Sequence, residues 1–365
     1  MKMRWRAAVL LMVPFVLQGC GFGNNGASEN MDEPPEEVTE EIEWEDLESG
    51  ENEENKAEES VAEEEQTSED EKEGETVERE LYLLDEDGMV VPQTFTLPKT
   101  DGVLKQSLEH LVAEGPVTSM LPNGFQAVLP PGTEVDVRLT EDGTAVTDFS
   151  SEFRDYNPEH EQAVLQAVTW TLTQFDNVKE VSFQINGYEQ ETMPVNDTPI
   201  GESYSRADGI NLENGQVSDM TNSDSVTVYF LSQNGENSYY VPVTRRVAAQ
   251  EDGNMLEAAM QELVRGPAPE SPLFDVLREG TSLTENAQMQ EETASLFFNE
   301  GLLTEEEGTA ISEEALQAIT LSATEIEGVE NVELNVEGAE EVVRVNGESL
   351  EEPLARPALV NDDVS

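Results

Sequence analysis

The sequence predicts an α+β protein of two tandem homologous domains, each a small β-sheet with two helices packed on one face. Two observations carry this. The 365-residue chain repeats itself from about residue 80 onward. Each copy also switches between the two-residue periodicity of strands and the three- to four-residue periodicity of helices.

The repeat is legible in five blocks. Leu81-Tyr82-Leu83-Leu84 before Gly88 matches Val228-Tyr229-Phe230-Leu231 before Gly235. Asp101-Gly102, a helical pattern and Gly115-Pro116 match Asp252-Gly253, a similar pattern and Gly266-Pro267. Val128 to Thr133 matches Val276 to Thr281, and Leu165 to Thr169 matches Leu316 to Thr320. Val178, Val181, Phe183, Ile185 and Gly187 match Val329, Val332, Leu334, Val336 and Gly338. The offset runs 147, 151, 148 and 151, changing only where turn residues predict loops.

Within the first copy the elements follow in order. Leu81–Leu84 reads as a strand, Asp85-Glu86-Asp87-Gly88 as a hairpin turn, and Met89–Leu97 as an extended return. Asp101 is the expected cap of a helix that places Leu104, Leu108, Leu111 and Val112 on one face before Gly115-Pro116 ends it. Val135, Val137 and Leu139 alternate as a strand, Glu141-Asp142-Gly143 turns the chain, and Ala145–Phe149 returns. Asn157-Pro158 starts a second helix, with Asn as cap and Pro in its first turn; Val164, Leu165, Val168, Leu172 and Phe175 form its apolar face. Val181, Phe183 and Ile185 alternate in a closing strand, so the order is ββαββαβ. Residues 201–225, polar and rich in Gly, Asn and Ser, read as the inter-domain connection.

The repeated unit resembles the GerMN domain of GerM-type sporulation and spore-germination lipoproteins. The helix ending in Gly-Pro, the Leu129-Pro130-Pro131-Gly132-Thr133 turn, the Val146-Thr147-Asp148-Phe149-Ser150 return strand and the long helix carry that resemblance. It implies a fold like the ring-building domains of secretion systems. It also implies a part in assembling the mother-cell-to-forespore channel complex. The second copy departs from the pattern, with Leu296-Phe297-Phe298-Asn299 in place of the Asp148 region, so a ligand role for Asp148 cannot apply to both copies.

The N-terminus is read as a lipoprotein signal. Lys2, Arg4 and Arg6 precede an apolar run from Ala7 to Leu17, short of a membrane span, which ends in Leu17-Gln18-Gly19-Cys20. This resembles a lipobox and implies cleavage before Cys20, the chain's single Cys, and its acylation with palmitate-class chains. Residues 29–80 hold 26 Asp and Glu against three cations, too acidic and too poor in apolar residues to fold alone. They are expected to act as a spacer, with Val38, Ile42, Trp44 and Leu47 as stray apolar residues or a short docking motif. The expected organisation is therefore 1–19 signal peptide, 20–78 lipidated tether, 79–200 first domain, 201–225 linker, 226–350 second domain and 351–365 tail.

Charge and composition exclude several functions. A net charge of -62, from 80 acidic and 18 basic residues, rules against nucleic acid, which needs clustered Lys and Arg. One Cys and two His leave no zinc set, and no cofactor or metal site is expected. Asp85, Asp87 and Gly88 lack calcium-loop spacing, and Gln233-Asn234-Gly235 fills the same turn without acids. His110 and His160 face Gln261 and Glu313 in the second copy and have no partner signature for catalysis. Tyr239-Tyr240 read as strand residues rather than a glycan platform.

The expectation is a non-enzymatic lipoprotein, anchored in the cell membrane and facing outside the cytoplasm. Its expected partners are other envelope or sporulation-channel proteins, and the resemblance implies the mother-cell membrane during sporulation. The alternative is a peptidoglycan-binding lipoprotein; an enzyme with an acidic site is the third reading. The acidity of residues 81–365 themselves, net -42, fits a surface facing high salt or high pH.

Overall fold

The computed structural model describes residues 75–213, 217, 222–235, 237–249, 254–305, 308–358 and 360–361. Cys20, the tether with its Trp44 motif, and Asp252-Gly253 lie outside them. The fold is α+β, with two homologous units in tandem.

In the first copy, β1 (Thr76–Leu84) and β2 (Val90–Pro98) form an antiparallel hairpin. Its turn is pinned by Asp85, whose Oδ1 accepts from the N–H groups of Asp87 at 3.0 Å and Met89 at 2.8 Å. Helix α1 (Val103–Glu109) follows, then β3 (Val135–Leu139) and β4 (Thr144–Phe149). Helix α2 (Glu161–Leu172) carries the chain across to β5 (Glu180–Ile185), which lies parallel to β4, and such a crossover is what a parallel pair demands. Two short strands, β6 (Tyr188–Glu189) and β7 (Tyr204–Ser205), cover the outer edge of β5.

The second copy repeats this plan. Strands β8 (Ser223–Asn234) and β9 (Asn237–Ala248) form the hairpin, followed by α3 (Met255–Arg265). Then come β10 (Gln288–Gln290), β11 (Thr293–Phe298), β12 (Ala310–Ile311), α4 (Glu313–Thr324) and β13 (Asn331–Val336). The copy closes with β14 (Val343–Arg344) and β15 (Leu354–Ala355). The sheet order β10-β11-β13-β15 matches the run of β3, β4, β5 and β7, and β11–β13 is again parallel.

Each hairpin forms its own ladder, separate from the mixed sheet. This explains a burial pattern that an amphipathic helix cannot produce. Residues Val164 to Leu172 of α2 are buried without interruption, because β1 and β2 pack on one side of the helix and β5 on another. Helix α4 is buried in the same way, from Leu321 through Ala323 as well as at Ala315, Leu316 and Ala318–Thr320. A strand edge facing a helix also finds an unusual partner there. The Tyr82 N–H donates to Thr171 Oγ1 at 3.0 Å, and the equivalent Tyr229 N–H donates to Ser322 Oγ at 2.9 Å.

Several local expectations are corrected. Gly102 rather than Asp101 stands at the α1 cap, where it has no side chain to cap with; α1 ends at Glu109, and Leu111 and Val112 lie past it. In the second copy Asn254 does cap, accepting from the Glu257 N–H, and α3 runs four residues longer. The strand β1 starts at Thr76, inside the stretch assigned to the tether, because pairing with β2 continues to Pro98. The segments assigned to linker and tail are structural too. Strands β7 and β15 sit at equivalent places on β5 and β13, and Ile210 and Val360 are fully buried.

Candidate functional site

Among the described residues, the most organised polar chemistry lies at the junction of the two copies. The outer edges of β2 and β9 face one another there. Two asparagines, Asn211 and Asn361, stand at equivalent positions after β7 and β15. Asn211 accepts from the Val90 N–H at 2.8 Å, and its Nδ2 donates to the Val90 carbonyl at 2.7 Å and the Pro242 carbonyl at 2.8 Å. Asn361 accepts from the Tyr240 N–H at 2.7 Å, and its Nδ2 donates to the Tyr240 carbonyl at 2.9 Å and the Pro92 carbonyl at 2.8 Å. Each asparagine thus clasps its own copy's strand to the other's. Both adopt left-handed backbone, φ 46° and 58°, which Asn tolerates better than other side chains.

The prolines of this edge fit the same logic. Pro92 opposes Tyr82 and Pro242 opposes Tyr229 in the two hairpins. Since the tyrosine N–H groups point away to the helices, these are non-hydrogen-bonded pairs, and the missing proline N–H falls on the outer edge. The carboxamide there offers donors to the proline carbonyl and needs no N–H in return. The crossing is reinforced where Ile210 N–H donates to Thr244 Oγ1 at 2.9 Å and Thr94 Oγ1 donates to the Val360 carbonyl at 2.9 Å.

Beside the clasps lies a charged cluster, again built on equivalent residues. The Arg206 guanidinium lies 4.2 Å over the Trp170 ring, with Nε donating to Thr173 Oγ1 at 3.0 Å and Nη1 to Glu325 Oε2 at 3.3 Å. Arg356 donates from Nη1 to Thr324 Oγ1 at 3.1 Å, and from Nη2 to the Tyr229 hydroxyl at 3.0 Å. It also pairs with Glu325 Oε1 at 2.8 Å. Burial works against the Glu325 charge, but Arg356 and Arg206 outweigh it and hold the carboxyl below the usual range. Glu80, close by, is pushed up, chiefly by burial. Two cavities of about 810 and 580 Å³ flank this cluster and share Arg206, Glu325 and Glu327 in their walls.

The residues singled out from sequence serve local structure. His110 closes α1, its Nδ1 2.8 Å from the Gln106 carbonyl, and is 8% exposed. His160 precedes α2 at the end of a single 3-10 turn whose Asn157 cap accepts from the Glu159 N–H. Asp148 accepts from the Gly187 N–H at 2.8 Å and fixes the turn after β5. Asp85 is buried and accepts from the Tyr239 hydroxyl at 3.0 Å, a contact between the two copies; burial pushes its carboxyl up. Tyr239 and Tyr240 are buried at this junction, and Phe125 meets Tyr239 edge-on at 5.1 Å. Among the described residues, no three His, Cys, Asp or Glu side chains group as metal ligands.

Glu161, not singled out from sequence, is the most heavily hydrogen-bonded carboxylate described. It accepts from the Tyr156 hydroxyl at 2.6 Å, the N–H groups of Val195, Asn196 and Thr198, and the Thr198 hydroxyl. Burial opposes its charge, and these donors overcome burial and lower its pKa. Its folded value lies below the unfolded one, so its stabilisation is present above the unfolded value and lost as pH falls through the folded one. Glu161→Gln is therefore expected to destabilise the protein by about 2 kcal/mol at pH 7 and to flatten the acid limb of its stability profile. Urea melts between pH 3 and 7 check this; an unchanged acid limb would count against it.

Comparison with known proteins places this architecture. A family described as "Germane: Sporulation and spore germination" matches residues 80–191 and 227–342. The spore germination protein GerM of Bacillus subtilis (strain 168) is 42% identical over 358 residues, covering 97% of this chain and 96% of that protein. The solved tandem GerMN domains of the sporulation protein GerM from Bacillus subtilis superpose with a TM-score of 0.73 at 45% identity. They cover 79% of this chain and 99% of theirs.

Proposed function

Because this chain belongs to the Germane family of sporulation and spore-germination proteins, we propose that it acts in sporulation and germination as a non-enzymatic, lipid-anchored scaffold. In this reading Cys20 carries the lipid, the acidic stretch before Thr76 holds the folded copies off the membrane, and the copies contact other envelope proteins of the mother-cell-to-forespore channel. The observation that carries the proposal is the match of both copies, in tandem and nearly end to end, to a sporulation relative. The junction supports it, since its polar side chains are spent on joining the copies. Two homologous units held in fixed relation are suited to presenting surfaces to partners.

Deletion of the gene is expected to lower the yield of heat-resistant or germination-competent spores, and Cys20→Ala to release the protein from the membrane fraction. Normal sporulation and germination in the deletion strain would overturn the role. A Cys20→Ala protein that stays with the membrane would overturn the anchor. Retention on purified sacculi without any protein partner would replace the scaffold by a peptidoglycan-binding module.

A further inference from the structure

The two copies differ at one edge, and the difference exposes a strand position. In the first copy the outer edge of β5 is covered along its length. Strand β7 pairs with Glu180 and Val181, β6 pairs with Gln184 and Ile185, and the Gln190 N–H donates to the Phe183 carbonyl at 2.9 Å. In the second copy β15 covers Asn331 and Val332 in the same way. Beyond them, among the described residues, no strand pairs with the outer edge of Glu333–Val336.

The cause lies in two residues. Asn186-Gly187 turns the first copy with φ 51° and 78°, the two left-handed residues of a type I′ hairpin, and so brings β6 back along β5. Glu337-Gly338 stands in the same place of the second copy. Gly338 has φ 85°, whereas Glu337 stays out of the left-handed region, which Asn enters more readily than most side chains. The chain makes one bond of the turn, Ala339 N–H to the Val336 carbonyl at 3.2 Å, and then leaves; Val343–Arg344 pairs with β12 instead.

A cavity of about 280 Å³ lies along this uncovered edge, with Leu334, Val336, Ala339, Val342, Leu350 and Leu354 among its walls. Its remaining wall includes Glu333, Glu340, Glu341, Glu351 and Glu352, and no Lys or Arg. An exposed edge offers backbone hydrogen bonds, the apolar wall takes alternate side chains, and five glutamates favour positive charge. We propose that the outer edge of β13 is a strand-addition site for an extended, basic segment of a partner protein, which takes the position β6 fills in the first copy. The inference rests on the scaffold reading and names the surface that would receive a partner.

The test titrates the full chain into the amidated hexapeptide Lys-Val-Lys-Tyr-Lys-Val carrying an N-terminal fluorescein, followed by fluorescence anisotropy. The acidic twin with Glu for Lys is expected to bind at least about tenfold more weakly. N-methylation of alternate peptide amides in the ladder-forming phase is expected to weaken binding about tenfold, and in the opposite phase about twofold or less. The exposed double variant Glu341→Lys/Glu352→Lys, checked for unchanged thermal melting, is expected to lose the basic peptide. Glu337→Asn, which restores the Asn-Gly turn, is expected to weaken binding by returning the chain's own strand to the slot. No binding, equal effects of the two methylation phases, or full affinity in the charge-reversed variant would each overturn the site. These outcomes bear on the slot alone. Normal sporulation on gene deletion bears on the scaffold reading and leaves the peptide result standing.

Discussion

Replacing both Asn211 and Asn361 by Ala is expected to uncouple the two copies, so that one unfolding transition becomes two. Each asparagine satisfies three backbone groups across the β2–β9 junction. Truncation leaves those groups without partners where water has little access. An orphaned buried group costs about 1–3 kcal/mol, and placing Ala in left-handed backbone adds about 1 kcal/mol. Asn361, 8% exposed, is expected to cost about 3–4 kcal/mol, and the less buried Asn211 about 2–3 kcal/mol. With Trp5 and Trp44 replaced by Phe, Trp170 reports on the junction through its contact with Arg206, and guanidinium melts followed by its fluorescence and by circular dichroism read both copies. Coincident transitions with little loss of stability in the double variant would show that apolar packing alone joins the copies.

The second large effect concerns Arg245, whose side chain is 5% exposed. It bonds Glu213 Oε2 from Nε at 2.9 Å and from Nη2 at 2.5 Å, the Gly266 carbonyl at 2.8 Å, and Glu262 at 3.4 Å; it also lies 4.9 Å over the Phe230 ring. Arg245→Ala leaves Glu213 without its cation and Glu262 with Arg265 as its remaining partner, both in a poorly solvated place, a change expected to cost about 3–5 kcal/mol. The first copy shows an apolar solution to the same position. Phe95 and Leu111 are the equivalents of Arg245 and Glu262, and both are buried. Arg245→Phe combined with Glu262→Leu is therefore expected to recover most of the loss. Urea melts of the single and double variants decide between the two; a double variant as unstable as Arg245→Ala would mean that Glu213 alone requires the guanidinium.

The repeat and most of its elements were legible because they depend on local periodicity. The Val181-Phe183-Ile185 alternation, the Asp85 turn and the Asn157-Pro158 helix start each encode their structure within a few residues. The junction was not legible in the same way. Arg206 with Ile210-Asn211, and Arg356 with Val360-Asn361, recur at an offset of 150 residues. They sit in stretches whose Ser, Gly, Asn and Glu content reads as linker and tail, and their order comes from bonds to the other copy. The burial of α2 on more than one side was likewise hidden, since a helix enclosed by two layers keeps no clean polar face. Glu161 gave no warning either, because four of its five donors, from Val195, Asn196 and Thr198, lie more than thirty residues away.

Sequence alone determined that this chain is a duplicated α+β unit behind an acidic N-terminal stretch, because strand alternation, helical spacing and turn chemistry are local and are written twice. Only the tertiary structure decided how the copies join, which polar groups the junction consumes and which strand edge stays uncovered. Those outcomes depend on backbone donors and acceptors finding partners far along the chain. The residues that supply them, Asn211, Asn361 and the Asn186 to Glu337 difference, look like ordinary loop residues until their partners are in place.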